Sequence, residues 1–106
     1  MISQSKIDDI VNKIAQNYDP EKILLFGSYA NGQANEDSDL DFIIIKNTDK
    51  PRYKRGREVR KLLIGSMVPI DLKVYTPSEF ESEQKSKYSF LSSVIEGTKL
   101  LYERKD

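Results

Sequence analysis

The stretch "FGSYANGQANEDSDLDFIII", Phe26 to Ile45, holds a Gly-Ser pair, a polar loop, an Asp-x-Asp and then an unbroken apolar run. The run Phe42 to Ile45, extended back by Leu40, reads as a strand from about Asp39 to Ile45 that is buried on both faces. Asp39 and Asp41 stand at its mouth. Residues i and i+2 of a strand share a face, so the two carboxylates lie side by side with α-carbons roughly 6 to 7 Å apart. Charge placed there without a partner is costly, which points to a compensating cation. Taken alone, an Asp-x-Asp at a strand start is more often a solvated edge or a cap.

Upstream, "KILLF" (Lys22 to Phe26) is a short apolar strand that delivers Gly27. A glycine after a strand, entering a helical turn, lets backbone N–H groups approach a phosphate, and the Ser28 hydroxyl adds a donor. Further back, Ile7, Ile10, Val11 and Ile14 mark one face of a first helix, with Ser3 or Ser5 as its cap.

Downstream, Val59, Leu62, Leu63 and Met67 predict an amphipathic helix from Tyr53 to about Gly65 with a strongly basic opposite side. "VPIDLKVYT" alternates Ile70, Leu72 and Val74 with Asp71, Lys73 and Tyr75, a strand with Asp71 on its polar face. Pro77-Ser78 opens another helix, "KYSFLSSVIEG" a further one, and "KLLYE" ends the pattern as a strand. The order α-β-(α)-β-α-β-α-α-β predicts an α/β (α+β) two-layer fold, a small mixed β-sheet covered by helices, in one domain spanning 1–106.

Composition limits the chemistry. The chain has 106 residues, 38% hydrophobic and 32% charged, with no cysteine and no histidine. Thiolate and imidazole catalysis are therefore excluded, and a metal held by this chain is a hard cation on carboxylate oxygens, such as Mg²⁺. No apolar run approaches bilayer length and the N-terminus lacks a signal-peptide core, so a cytoplasmic protein without a membrane partner is expected. Zero net charge argues against nucleic acid as the main partner. Within that balance, eight Lys/Arg lie between Lys46 and Lys61. That segment is open to three readings: a solvated face, a partner site or a triphosphate contact.

If the strands carrying Asp41 and Asp71 are neighbours, Asp39, Asp41 and Asp71 converge as three acids, an arrangement suited to metal-assisted phosphoryl or nucleotidyl transfer. Asp71 also has a plainer reading as an outward residue paired with Lys73. "GSYANG", "SDLDF" and "IDLKVY" together resemble the signature of the DNA polymerase β-like nucleotidyltransferase superfamily, and more narrowly the minimal nucleotidyltransferases, over nearly the whole chain. The resemblance implies that Gly27 and Ser28 hold nucleotide phosphates and that Asp39, Asp41 and Asp71 bind Mg²⁺, with two ions expected. Asp71 is also implied as the base. Asn31 stands where the family usually has arginine, which removes a guanidinium.

The implied activity is transfer of AMP from ATP to a hydroxyl with release of pyrophosphate. The acceptor implied is a tyrosine of a HEPN-type toxin partner, the chain acting as antitoxin in a homo- or hetero-oligomer. Family members with antibiotic or polymer acceptors carry an additional domain, and this chain ends about where one would begin. Two alternatives stand beside this reading: a module that neutralises a partner by contact alone, and a transferase for small molecules of the aminoglycoside type.

Overall fold

The computed structural model describes residues 1–105. Helix α1 (Gln4–Tyr18) starts where the Ser3 hydroxyl accepts from Lys6 N–H and ends at Asp19 in the left-handed region. It leads into β1 (Lys22–Phe26), the short α2 (Ser28–Asn31) and β2 (Leu40–Ile45). Then follow α3 (Arg52–Leu62), β3 (Ile70–Tyr75), α4 (Pro77–Lys85), α5 (Phe90–Val94), a 3₁₀ turn at Ile95–Gly97 and β4 (Lys99–Glu103). The four strands form one mixed sheet in the order β3-β2-β1-β4. β1 runs antiparallel to β2 and β4, while β2 and β3 are parallel. The expected mixed α/β fold, a small mixed sheet covered by helices, is therefore the one found, with helices on both faces.

β2 is buried from both sides, as its composition requires. Leu40, Phe42 and Ile44 point into the larger core with Ile7, Ile10, Val11 and Ile14 of α1, Val59 of α3 and Leu63 at its C-terminal end. Ile43 and Ile45 point the other way, into a smaller core with Leu24, Phe26, Tyr75 and Leu91. Each fully buried aliphatic side chain contributes about 1.5–3 kcal/mol, so β2 is the most heavily anchored strand. Asp41 alternates with these residues and falls on the smaller-core face, the one with thinner helical cover.

Two expectations need correction, and one open reading is narrowed. The strand begins at Leu40, leaving Asp39 exposed just ahead of it, because Leu40 N–H is the first to pair across to β3, at Pro69 C=O. α3 ends at Leu62, and Met67 lies off its apolar stripe, 92% exposed with a positive φ of 63°. The turn at Gly65 reverses the chain before a further helical turn could seat Met67. The basic side of α3 is also not uniformly solvated, since Arg55 is only 6% exposed. No helix among the described residues is long and apolar enough to cross a membrane.

Candidate active site

The parallel pairing of β2 with β3 assembles the acids. Both strands open on an apolar residue followed by aspartate, "LD" at 40–41 and "ID" at 70–71, and the register places Leu40 opposite Ile70 and Asp41 opposite Asp71. Parallel strands put equivalent ends together, so two aspartates at the second position of each strand must meet. The antiparallel pairing on the other side places Phe26 opposite Asp41 and brings the end of β1, with Gly27, against the same carboxylate.

Gly27 is required by two independent constraints. Its φ of 75° and ψ of −156° lie where side chains are not accommodated, and a Cβ there would stand 2.2 Å from Asp41 Oδ2. The Asp41 carboxylate thus occupies the space a side chain at position 27 would fill. α2 follows directly, with Ala30 and Asn31 N–H groups donating to the Gly27 carbonyl. The earlier N–H groups of this turn have no intrahelical acceptor. The Ser28 hydroxyl has no hydrogen-bond partner among the described residues.

Electrostatics mark Asp41 as the strained member of the set. Burial raises its pKa above the ordinary carboxylate value, and the charges of Asp71 and then Asp39 raise it further. Lys73 offsets part of this. Its Nζ lies 4.0 Å from Asp71 Oδ2 and 5.0 Å from the centre of the Phe90 ring. Phe90 in turn packs edge-on against Phe26 with centroids 5.5 Å apart, so the start of α5 closes one side of the acid cluster.

The structure therefore brings Asp41 and Asp71 into register and leaves Asp39 flanking them within electrostatic reach. No group of three or more carboxylates among the described residues is drawn together tightly enough to cage a metal ion. The Asp71–Lys73 ion pair, the plainer reading of Asp71, is present alongside the register with Asp41. Asn31 has a turn role: its Oδ1 accepts from Gln33 N–H at 3.1 Å, ahead of the left-handed Gly32. Tyr29 is likewise structural, its hydroxyl accepting from Ile2 N–H at 2.9 Å.

Two charged residues escaped the sequence reading. Arg55 reaches through the edge of the sheet to Val74 C=O at 3.2 Å and Lys50 C=O at 2.8 Å, and grips Glu79 with both Nη atoms at 2.6 and 3.2 Å. Glu79 also closes a capping box with Thr76 at the start of α4. That box was visible as "TPSE", a Thr three residues ahead of a Glu. Nothing in the sequence separates Arg55 from the cations around it.

The family described as "Nucleotidyltransferase domain" matches residues 7–100. Two proteins of Methanocaldococcus jannaschii, each named "Putative protein adenylyltransferase", are similar to the chain. One is 30% identical, covering 92% of this chain and 70% of its own length. The other is 32% identical, covering 96% of this chain and 100% of its own length. Among solved structures, a chain titled as a putative nucleotidyltransferase from Sulfolobus solfataricus superposes with a TM-score of 0.66 over 94% of this chain and 79% of its own, at 20% identity. That likeness carries the fold.

Proposed function

The chain belongs to the nucleotidyltransferase domain family, and on that premise we propose that residues 1–106 act as one catalytic domain that transfers AMP from ATP to a protein hydroxyl, releasing pyrophosphate. The observation that carries the reading is the parallel register that sets Asp41 beside Asp71, with the Asp41 carboxylate packed against Gly27 and Asp39 one residue ahead of the strand. A fold gains nothing from three acids at a strand mouth, and a cation with a triphosphate is what relieves them. The names of the archaeal relatives favour a protein as acceptor. A tyrosine of a HEPN-type partner is the acceptor proposed, the chain serving as the antitoxin of the pair.

By chemistry the donor set suits a hard divalent cation, since these side chains offer carboxylate oxygens only, and phosphate oxygens of the substrate would supply the other ligands. Asp39, Asp41 and Asp71 are the residues that would hold Mg²⁺, which when bound neutralises charge on the phosphate oxygens. Gly27 and Ser28 bind the phosphates through backbone N–H groups and the unpartnered hydroxyl. Asp71 takes the proton of the acceptor hydroxyl as its oxygen bonds to the α-phosphorus and the bond to pyrophosphate breaks. Lys73 holds Asp71 in place through their ion pair.

The test is incubation with α-labelled ATP, Mg²⁺ and a HEPN-type partner protein. Label is expected on a partner tyrosine and is expected to fall at least about 10³-fold in Asp39→Ala and Asp41→Ala. A tight complex that never acquires label overturns the transferase reading in favour of inhibition by contact alone.

A further inference from the structure

Beyond the acids, at the outer edge of the sheet, a cleft of about 490 Å³ opens between α3 and the start of α5, with Arg52, Tyr53, Arg60, Lys73 and Phe90 in its lining and Glu83 as its acidic member, already paired with Arg52. Lys73 joins it to the acids, since that side chain lies between Asp71 and the Phe90 ring. Gly56 shapes its floor: a Cβ there would stand 2.8 Å from Arg60 Nη1, so the glycine lets the guanidinium fold down onto α3.

The cleft continues along the exposed side of α3. Tyr53, Arg57, Arg60, Lys61 and Ile64 line an adjoining depression; the first four share one stripe of α3, and Ile64 extends it from the turn that follows the helix. Tyr53 is 77% and Ile64 79% exposed. The cations of this segment differ in their partners: Lys46 donates to Tyr18 C=O and Lys54 lies over the Tyr53 ring. Lys50 pairs with Glu58, Arg52 with Glu83 and Arg55 with Glu79. Among the described residues the side chains of Arg57, Arg60 and Lys61 have no ion pair or hydrogen bond. Three cations in a row left without partners, between two exposed apolar side chains, is a surface with complementary charge missing.

The topology gives this surface a direction. Gly27 at the end of β1, Asp41 on β2 and Asp71 on β3 follow one another across the sheet, and β3 is its edge. With phosphates held at the β1 side, a nucleophile in line with the leaving group arrives from the β3 side. We propose that the cleft and the α3 stripe receive an acidic polypeptide segment, which carries the acceptor hydroxyl across the edge of β3 to Asp71. This rests on the transferase reading above. A polypeptide fits better than a small alcohol because the helical part of the stripe, Tyr53 to Lys61, is about 12 Å long and the cleft adjoins it. It fits better than RNA because the stripe, with Ile64 included, has apolar side chains at its two ends and the chain carries no net charge.

The experiment uses the intact chain and a fluorescein-labelled peptide of six glutamates around one tyrosine, with a lysine peptide of equal length and a uridine heptanucleotide as comparators. Anisotropy should report binding of the glutamate peptide alone, weakened at least about tenfold in the double variant Arg57→Glu/Arg60→Glu. Arg57→Gln/Arg60→Gln, which removes charge without adding repulsion, should weaken it less, and both variants should melt cooperatively because the substituted side chains are exposed. No binding, binding indifferent to charge reversal, or tighter binding of the oligonucleotide overturns the proposal. Mg-ATP titrated into the same wild-type sample separates the two readings. Nucleotide binding without peptide binding overturns the docking surface and leaves the transferase standing. Peptide binding without nucleotide binding supports the surface and removes the transferase.

Discussion

Glu79 accepts two hydrogen bonds from the Arg55 guanidinium, whereas Asp41 faces two other carboxylates. Both side chains are only partly withdrawn from water. The Arg55 hydrogen bonds hold the Glu79 carboxyl down to about 2, against an ordinary 4.5, with the Thr76 N–H helping and burial opposing. Burial and neighbouring acids push Asp41 the opposite way. The comparison separates charge that holds the fold from charge that the fold tolerates. A paired carboxylate joins α3 to α4 across the sheet edge; the crowded one is held in place by strand register and by the absence of a side chain at Gly27.

The largest effect that would break this comparison comes from Arg55. Arg55→Ala leaves Glu79 without its cation and removes the donor to Val74 and Lys50 C=O. A loss of about 3 kcal/mol is expected, the low end for a broken buried pair because Glu79 remains partly exposed. Urea denaturation measures it. A loss below about 1 kcal/mol would return Arg55 to the solvated cations of α3.

That residue also marks where sequence reading stopped. The apolar run of β2, the helical face of α1 and the alternation of β3 follow from local periodicity, so each element emerges near its true bounds. Asp41 and Asp71 were identifiable because one belongs to an Asp-x-Asp at a strand mouth and the other falls on the polar phase of an alternating strand, and their meeting needed only those two strands to be neighbours. Asp39 fell one residue outside its expected strand because the ladder starts at Leu40, a tertiary fact. Met67 fit the helical spacing but lay beyond the turn at Gly65. Arg55 was hidden among eight cations because its burial depends on α4 folding back over the edge of β3, and no local pattern encodes that contact.

A smaller effect sharpens the contrast through pH. The folded pKa of Glu79 is depressed, so its contribution is complete above the unfolded value near 4.5 and is lost as pH falls through about 2. That interval corresponds to about 3 kcal/mol, and the 30% exposure of the Glu79 side chain trims it to about 2 kcal/mol. The stability difference between wild type and Glu79→Gln should therefore be widest above about pH 5 and shrink towards about pH 2. A difference that stays constant across that range would assign the effect of the variant to shape rather than charge.

The smallest effect has the opposite sign. Asp41 has a raised folded pKa, so once pH exceeds the unfolded value its ionised form favours the unfolded chain. Asparagine has nearly the same shape, keeps an oxygen over Gly27 and removes the repulsion from Asp71 and Asp39. Asp41→Asn should thus gain about 0.5–1 kcal/mol in urea denaturation at neutral pH, limited by partial exposure and by the relief Lys73 already gives. Mg-ATP should then raise the melting temperature of the wild type, because neutralising the acids stabilises the state that binds it, and should do so far less for the variant. A variant that loses more than about 1 kcal/mol would show that Asp41 supports the sheet rather than waits for a cation. In that case Asp41 and Glu79 would be doing the same kind of work, and the distinction between them would fall.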